Sequence, residues 1–155
     1  MTTQRIEVRR LIQADAATIF DVLCDPHGHV AIDSTGMLMS ATGERARAVG
    51  DTFVVHMDRE ALNDYPMGKY DVTVRIVTFD AGREIAWTIL GRIRPQMGHV
   101  YGYALEAKDG ATLVTSYYDW SSANVVWRTA GVFPVISESA LRATLGILDR
   151  TVTGR

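Results

Sequence analysis

Two segments in which successive residues alternate between two faces, joined by Lys108-Asp109-Gly110-Ala111, restrict the possible folds of this chain more than any other feature. An Asp-Gly pair between alternating runs is the strongest short-range indication of a β-hairpin, because glycine adopts the positive φ of a tight turn without steric cost. Period-two alternation gives each strand one face that mixes apolar and polar side chains: His99, Tyr101, Tyr103 and Leu105 on the first, and Leu113, Thr115, Tyr117 and Asp119 on the second. Such a face is either an ordinary sheet face or the wall of a partly polar cavity.

Length and charge exclude several classes of protein. The 155 residues suit one domain, residues 1–155, whose core needs neither a metal nor a disulfide. With 16 basic and 18 acidic residues the net charge is −2, so we expect no binding of nucleic acid. No apolar run approaches the roughly 20 residues that span a bilayer, which predicts no membrane insertion. The single cysteine, Cys24, and the polar start MTTQR predict a reduced, cytoplasmic protein without a signal peptide.

The remaining segments predict strands and helices in a simple order. Residues 5–13 alternate as a first strand, and Asp15 is an N-cap for a helix over residues 16–24. A second short helix is predicted at about residues 26–32. Further strands are expected at residues 37–41, 52–57, 70–79 and 84–90. After the hairpin, a long helix is predicted at about residues 135–151, because apolar residues repeat there every three or four positions: Ile136, Ala140, Leu141, Leu145, Leu148 and Val152.

This order of elements predicts an α+β fold. Antiparallel strands joined by short turns can curve around one amphipathic helix, which buries the apolar faces of both. We therefore expect a curved antiparallel sheet of about six to seven strands around a long C-terminal helix, with two short helices after the first strand. A pocket remains wherever the helix does not fill the curve.

Several phrases along nearly the whole chain resemble a known superfamily. They are IQADAATIFDVL (12–23), DP (25–26) with HVAIDSTG (29–36), GDTF (50–53), GREIAW (82–87), YALE (103–106) with DGA (109–111), and YDWS (118–121). The chain resembles the SRPBCC superfamily of START-type lipid carriers and birch-pollen-allergen-like proteins. Within it, the chain looks most like the bacterial polyketide cyclase/dehydrase-like branch. The resemblance implies a helix-grip fold with a hydrophobic cavity between the sheet and the long helix.

Imidazoles and a carboxylate lie close together in the segment after the first helix. His27, His29 and Asp33 are suitable metal ligands, but their spacing does not match a helical ligand pair and no third histidine is near in sequence. We therefore expect no metal and no other cofactor. The alternatives for His29 and Asp33 are contact with a ligand at the mouth of the cavity, helix anchoring, or a capping or surface hydrogen bond.

The hairpin strand supplies the best candidates for ligand contact. Tyr101 and Tyr103 each present an apolar ring and a hydroxyl that can orient a ligand, and His99 is the candidate for proton transfer near neutral pH. The alternative is a sheet face packed on the terminal helix, and a β-bulge would reverse which face points inward. The other predicted lining residues are Tyr70, Trp87, Tyr117, Leu141, Leu145 and Leu148.

Three functions fit these features. The first is binding of a small hydrophobic or amphipathic ligand, such as a lipid, fatty acid or polyketide, in the cavity between the sheet and the C-terminal helix. The second is a cyclase/aromatase- or dehydratase-like enzyme whose cavity folds a reactive chain while His99 or a tyrosine moves the proton. The third is a protein-interaction module. The expected assembly is a monomer or a homodimer.

Overall fold

The computed structural model describes residues 3–154, in which one strand and two short helices precede six further strands and a long C-terminal helix. Within this range the elements are β1 (Arg5–Ile12), α1 (Ala16–Cys24), α2 (Pro26–Ala31), β2 (Leu38–Thr42), β3 (Thr52–Asp58), β4 (Lys69–Asp80), β5 (Glu84–Leu90), β6 (Val100–Lys108), β7 (Ala111–Asp119), α3 (Val125–Thr129) and α4 (Glu138–Thr153). A 3-10 turn at Arg59–Leu62 lies in the connection between β3 and β4. None of the described helices is long and apolar enough to cross a membrane.

All seven strands among residues 3–154 belong to one antiparallel sheet with the order β1-β7-β6-β5-β4-β3-β2. The predicted hairpin joins β6 and β7, and Lys108 pairs with Ala111 across a two-residue turn. Asp109 and Gly110 both have positive φ, 48° and 84°, as the primed hairpin turn requires. Bulges interrupt the register between Ile76 and Thr78 and between Leu38 and Ser40, and such bulges bend a strand.

The helices cover one face of the sheet, which we call the inner face. Since β1 and β2 form opposite edges of the sheet, the connection that contains α1 and α2 crosses this face. Asp15 caps α1 by accepting a hydrogen bond from the backbone N–H of Thr18 at 2.8 Å, as the sequence predicts. Phe20 of α1 packs edge-to-face against Phe79 of β4, with ring centroids 5.5 Å apart.

The C-terminal helix α4 begins at Glu138, three residues later than predicted. The side chain of Ser137 accepts a hydrogen bond from the backbone N–H of Ala140 and so fixes the start of the helix, whereas the apolar pattern alone extends the prediction back to Val135. The helix packs mainly against β1 and β7. Arg10 of β1 forms an ion pair of 2.7 Å with the buried Asp149 of α4.

The fold prediction is confirmed: an open antiparallel sheet, a long C-terminal helix, and two short helices after the first strand. The two layers enclose one hydrophobic core, to which both the sheet and the helices contribute. Its fully buried side chains include Ile12, Ile19, Leu23, Ile76, Ile85, Val114, Tyr118, Leu145 and Leu148. Burial of this kind provides most of the stability of a domain without metals or disulfides.

Candidate functional site

The aromatic side chains of β5 and β6 point to the inner face of the sheet, which settles the orientation that the sequence left open. Trp87 stacks on Tyr101 with ring centroids 6.2 Å apart and an interplanar angle of 14°. It also stacks on Tyr103, at 5.8 Å and 28°. These three rings form a continuous aromatic wall on the inner face.

The exposure of the side chains to solvent changes along the inner face of the sheet. Around Ile76, Ile85 and Tyr103 the inner face is sealed by the core. Nearer the loops at residues 59–68 and 91–98, the inward-pointing side chains are only half-buried although they are apolar or aromatic. We call this surface the inner groove and define it by Met57, Tyr70, Val72, Ile89 and Tyr101.

The strand pairing explains why the groove residues lie together. Met57 is opposite Tyr70, and Val74, the next inward residue of β4 after Val72, is opposite Ile89. Trp87 is opposite Tyr101 on the neighbouring pair of strands. In a pleated sheet, directly paired residues share a face, so the period-two pattern of three strands converges on one surface.

A buried hydrogen-bonded pair, His99 and Tyr118, lies beside the groove. Nδ1 of His99 is 2.6 Å from the Tyr118 hydroxyl, and the backbone N–H of Val135 donates to the same hydroxyl oxygen. Burial lowers the pKa of His99 to about 4, so its imidazole is neutral at neutral pH. Burial, followed by the neighbouring Tyr101, raises the pKa of Tyr118, whose hydroxyl therefore keeps its proton.

These contacts fix the tautomer of His99. A fully buried hydroxyl group needs an acceptor for its proton, and the Tyr118 side chain is completely buried. Since the Val135 N–H can only donate, the Tyr118 proton goes to Nδ1 of His99. The neutral ring then carries its own proton on Nε2. The ring of Phe133, 5.9 Å from the His99 ring, packs against this pair.

His29 lies under the aromatic wall and joins the two short helices. Its Nε2 is 2.8 Å from the carbonyl oxygen of Leu23 at the end of α1. Its ring contacts Trp87 and Phe53 edge-to-face, with centroids 4.6 Å and 5.0 Å away. Burial lowers the pKa of His29 to about 4, more than the hydrogen bond to Leu23 raises it. Of the roles left open by the sequence, the helix-anchoring contact is the one that the structure contains.

Asp33 organises the loop between α2 and β2. Its carboxylate accepts hydrogen bonds from the backbone N–H groups of Thr35, Gly36 and Leu38, and from the Thr35 hydroxyl at 2.7 Å. The neighbouring Ser34 hydroxyl donates to the carbonyl of Ala140, which ties this loop to α4. A carboxylate with this many donors holds a loop in one conformation.

Two arginines surround Tyr70 at the edge of the groove. Arg59 holds Asp64 through two hydrogen bonds, of 2.9 Å and 2.8 Å, and its guanidinium lies 5.2 Å from the ring centre of Tyr65. The pKa of Arg59 is raised, mainly by Asp64 and also by a hydrogen bond to Tyr70. Arg92 lies over the Tyr70 ring at 5.8 Å. The edge of the groove is therefore more basic than its floor.

Tyr117 is on the outer face of the sheet, opposite to the other predicted lining residues. Its ring lies against Gly102, where a Cβ atom would be only 2.3 Å from the ring carbon Cζ. Arg5 covers the ring at 3.9 Å, and the hydroxyl donates to Glu84 at 2.5 Å. Gly102 on β6 leaves the space that the Tyr117 ring occupies on the outer face. Because the ring is on that face, we leave Tyr117 out of the proposed lining.

The three predicted leucines of α4 are placed in the closed core. Leu141, Leu145 and Leu148 are at most 5% exposed, and the helix packs against β1 and β7 rather than over the groove. Tyr103 is also buried, and its pKa is raised by burial despite a hydrogen bond to Ser116. We therefore leave these four side chains out of the proposed ligand contact as well.

Two surface clefts are lined by residues other than those that define the inner groove. One, of about 230 Å³, is lined by Gly36, Met39, Asp58, Glu60 and Ala61. The other, of about 370 Å³, is lined by Arg10, Ala143, Gly146, Ile147, Asp149 and Arg150. Among residues 3–154, no group of three or more His, Cys, Asp and Glu side chains is placed to hold a metal ion.

Sequence reasoning missed several residues of this site. Met57 and Ile89 are inward residues of predicted strands, and period-two alternation with Tyr70 and Trp87 was a sufficient signal for both. Tyr118 could have been found from its position on the opposite face to Tyr117. Phe133 lies in an irregular segment, where no periodicity indicates which side chains turn inward.

Comparison with known proteins supports the fold. No protein-family model matches the sequence, and no curated protein matches it significantly. Among solved structures, protein CV1439 from Chromobacterium violaceum is similar with a TM-score of 0.68 and 13% identity, and the match covers 96% of each chain. An AHSA1-like protein from Aeromonas hydrophila has a TM-score of 0.61 and 16% identity over 97% of this chain and 92% of its own.

A third similar structure is the Aha1 dimer from Colwellia psychrerythraea, with a TM-score of 0.62 and 16% identity over 97% of this chain and 96% of that one. The structural neighbours thus include AHSA1-like proteins, which belong to the SRPBCC superfamily. At these identities the similarity establishes the helix-grip fold and does not assign an activity.

Proposed function

We propose that this protein binds a small hydrophobic or amphipathic ligand, such as a lipid, fatty acid or polyketide, in the inner groove. The observation that carries the proposal is the half-exposure of apolar and aromatic side chains on the inner face. Each 100 Å² of apolar surface transferred from water to a ligand contact is worth about 2.5 kcal/mol. A concave, mainly apolar surface with a few polar groups is the usual form of a small-molecule site.

The class of ligand and the cellular location of the protein are proposed from the sequence. The resemblance to the polyketide cyclase/dehydrase-like branch supports a polyketide-like or lipid-like ligand. A single buried cysteine, Cys24, supports a cytoplasmic protein, and one core shared by the sheet and helices supports a single domain. We therefore propose a single-domain cytoplasmic binding protein.

His99 is poorly suited to the proton transfer that a cyclase- or dehydratase-like reaction requires. A base with a pKa of about 4 is a weak proton acceptor near neutral pH. In addition, its Nδ1 already accepts the proton of Tyr118. These two properties favour a ligand-binding role for the pair over a catalytic one.

A second candidate function, protein interaction, is favoured by exposed aliphatic side chains next to the groove. The loop at residues 91–98 and the segment at 121–135 are joined by a hydrogen bond from Trp127 Nε1 to the Pro95 carbonyl. Their exposed aliphatic residues are Ile93, Val125, Val126, Val132 and Val135. Sedimentation equilibrium of the wild type and of Val126→Glu tests this surface as a homodimer contact, because a buried carboxylate would dissociate the dimer.

Two valines of β4 provide a matched test of the groove. Val72 is half-buried in the inner groove, whereas Val77 is exposed at the bulge of the same strand. Val72→Trp should fill the groove and weaken binding of the fluorescent dye Nile red by about tenfold, or about 1.4 kcal/mol, while Val77→Trp should leave it within about twofold. Thermal denaturation of both variants checks that they fold. Equal dye binding by the two variants would exclude the groove as the site.

A further inference from the structure

Two polar groups beside the inner groove have no hydrogen-bond partner in the described part of the chain. Every fully buried side-chain nitrogen and oxygen among the described residues has a hydrogen-bond partner. Nε2 of His99 and the hydroxyl of Tyr101 form no hydrogen bond to any group within residues 3–154. Both atoms must therefore reach accessible space, even though the His99 side chain as a whole is only 5% exposed.

The two rings that carry these groups are neighbours on the inner face. His99 and Tyr101 are two residues apart on the same side of the chain, and their ring centroids are 5.2 Å apart. Since Tyr118 occupies Nδ1 of His99, the free nitrogen of this ring is Nε2–H, a donor. The Tyr101 hydroxyl can also donate.

We infer that the groove selects ligands that carry a neutral hydrogen-bond acceptor, a carbonyl oxygen, which is held between Nε2–H of His99 and the hydroxyl of Tyr101. This inference rests on the proposed function and specifies its ligand class. Ketones, esters and lactones with an apolar body have this chemistry. A carbonyl oxygen has two lone pairs and can accept both hydrogen bonds at once.

The electrostatic surroundings favour a carbonyl over a carboxylate. Burial raises the pKa of Tyr101 and lowers that of His99, so both side chains are neutral at neutral pH. Within the described chain, the cation–π contacts involve Tyr117, Tyr65 and Tyr70, and none involves Tyr101. A carboxylate moved from water to these two neutral donors would lose hydration and gain no opposite charge from them, since the arginines at the groove edge, Arg59 and Arg92, contact Tyr70 instead.

The test uses three aromatic probes of similar shape, 2-acetylnaphthalene, 2-ethylnaphthalene and 2-naphthoate, with dissociation constants measured by NMR titration at neutral pH. Tyr101→Phe removes the hydroxyl and keeps the ring. This substitution should weaken binding of the ketone by about fivefold to tenfold and change the affinity for the hydrocarbon by less than about twofold. Tyr103→Phe is the matched control, because the Tyr103 side chain is packed in the core and its hydroxyl interacts with Ser116. It should leave the affinities of both probes unchanged.

The possible results separate this inference from the function on which it rests. One result is that the wild type binds both the ketone and the hydrocarbon while Tyr101→Phe affects the binding of both equally. That result would overturn the carbonyl site and leave the groove as a binding site. Naphthoate binding as tightly as the ketone would overturn the preference for a neutral acceptor. If the wild type bound none of the three probes, both the inference and the proposed function would fail.

A second readout addresses His99 without altering it. Nitrogen-15 NMR of the histidine side chains distinguishes protonated from unprotonated ring nitrogens, and we expect His99 to carry its proton on Nε2. Addition of 2-acetylnaphthalene should shift the Nε2 resonance more than that of Nδ1, while 2-ethylnaphthalene should not. A proton on Nδ1 would refute the arrangement of donors.

Discussion

Mild acid should destabilise this protein, because His29 and His99 are neutral in the folded state. Burial lowers the pKa of each from an ordinary value of 6.5 to about 4. As the pH falls through 6.5, the unfolded chain binds protons that the folded chain does not. The contribution of the two neutral side chains to stability is therefore complete above pH 6.5, decreases towards pH 4, and changes no further below it.

The size of the effect follows from the two pKa values. Between about pH 7.5 and about pH 5.0, each histidine should lower the free energy of unfolding by about 2 kcal/mol, and the pair by about 4 kcal/mol. Three exposed or partly exposed carboxyl groups, Asp15, Asp64 and Asp119, contribute at lower pH instead. The pKa values of Asp15, Asp64 and Asp119 are lowered from 3.8, so the stability that these groups provide is present above 3.8 and is lost only at lower pH.

Urea denaturation at the two pH values measures the effect. His29→Gln lowers stability at both pH values, since the contact with Leu23 changes, but the difference between the two pH values should shrink by about 2 kcal/mol. His99→Gln should give a similar reduction. His27→Gln, on the exposed side of the same short helix as His29, is the control and should leave the difference unchanged. A pH difference that is the same in the wild type and both test variants would show that neither histidine is the source of the acid sensitivity.

Three further substitutions test packing and local structure, each by chemical denaturation. Gly102→Ala should cost about 2–3 kcal/mol, because its Cβ would collide with the Tyr117 ring, and Tyr117→Ala should relieve most of that cost. Ser137→Ala should cost about 1 kcal/mol through loss of the N-cap of α4, and full retention of stability would contradict that role. Asp33→Ala should cost about 1–2 kcal/mol and make the loop at residues 33–38 sensitive to proteolysis, whereas an unchanged cleavage pattern would argue against loop ordering by this carboxylate.

Local patterns predicted most of the fold. The Asp109-Gly110 turn, the Asp15 cap and the alternation of β4 depend on neighbouring residues, and each is found in the structure. The start of α4 was misplaced, because an apolar pattern continues through Val135 while the helix begins only after its cap. Such boundaries depend on a single hydrogen bond that periodicity does not report.

The site was less predictable for a physical reason. Alternation shows which side chains share a face, and it placed Tyr101 and Tyr103 together correctly. It does not show which face is inner for each strand, nor how far the helices extend across the sheet. Tyr117 was therefore assigned to the wrong side, since its position depends on the space left by Gly102 on the neighbouring strand. The closed environment of Leu145 depends on the docking of α4 against β1, which is a long-range contact.

An open sheet leaves two edge strands, β1 and β2, whose backbone groups could pair with another chain. β2 carries a bulge between Leu38 and Ser40, which breaks the regular spacing that an incoming strand needs. On β1, Arg5, Glu7 and Arg9 project from one side in a row of linked charges. Both features oppose edge-to-edge aggregation, so self-association of this protein would have to use side-chain surfaces instead of extending its sheet.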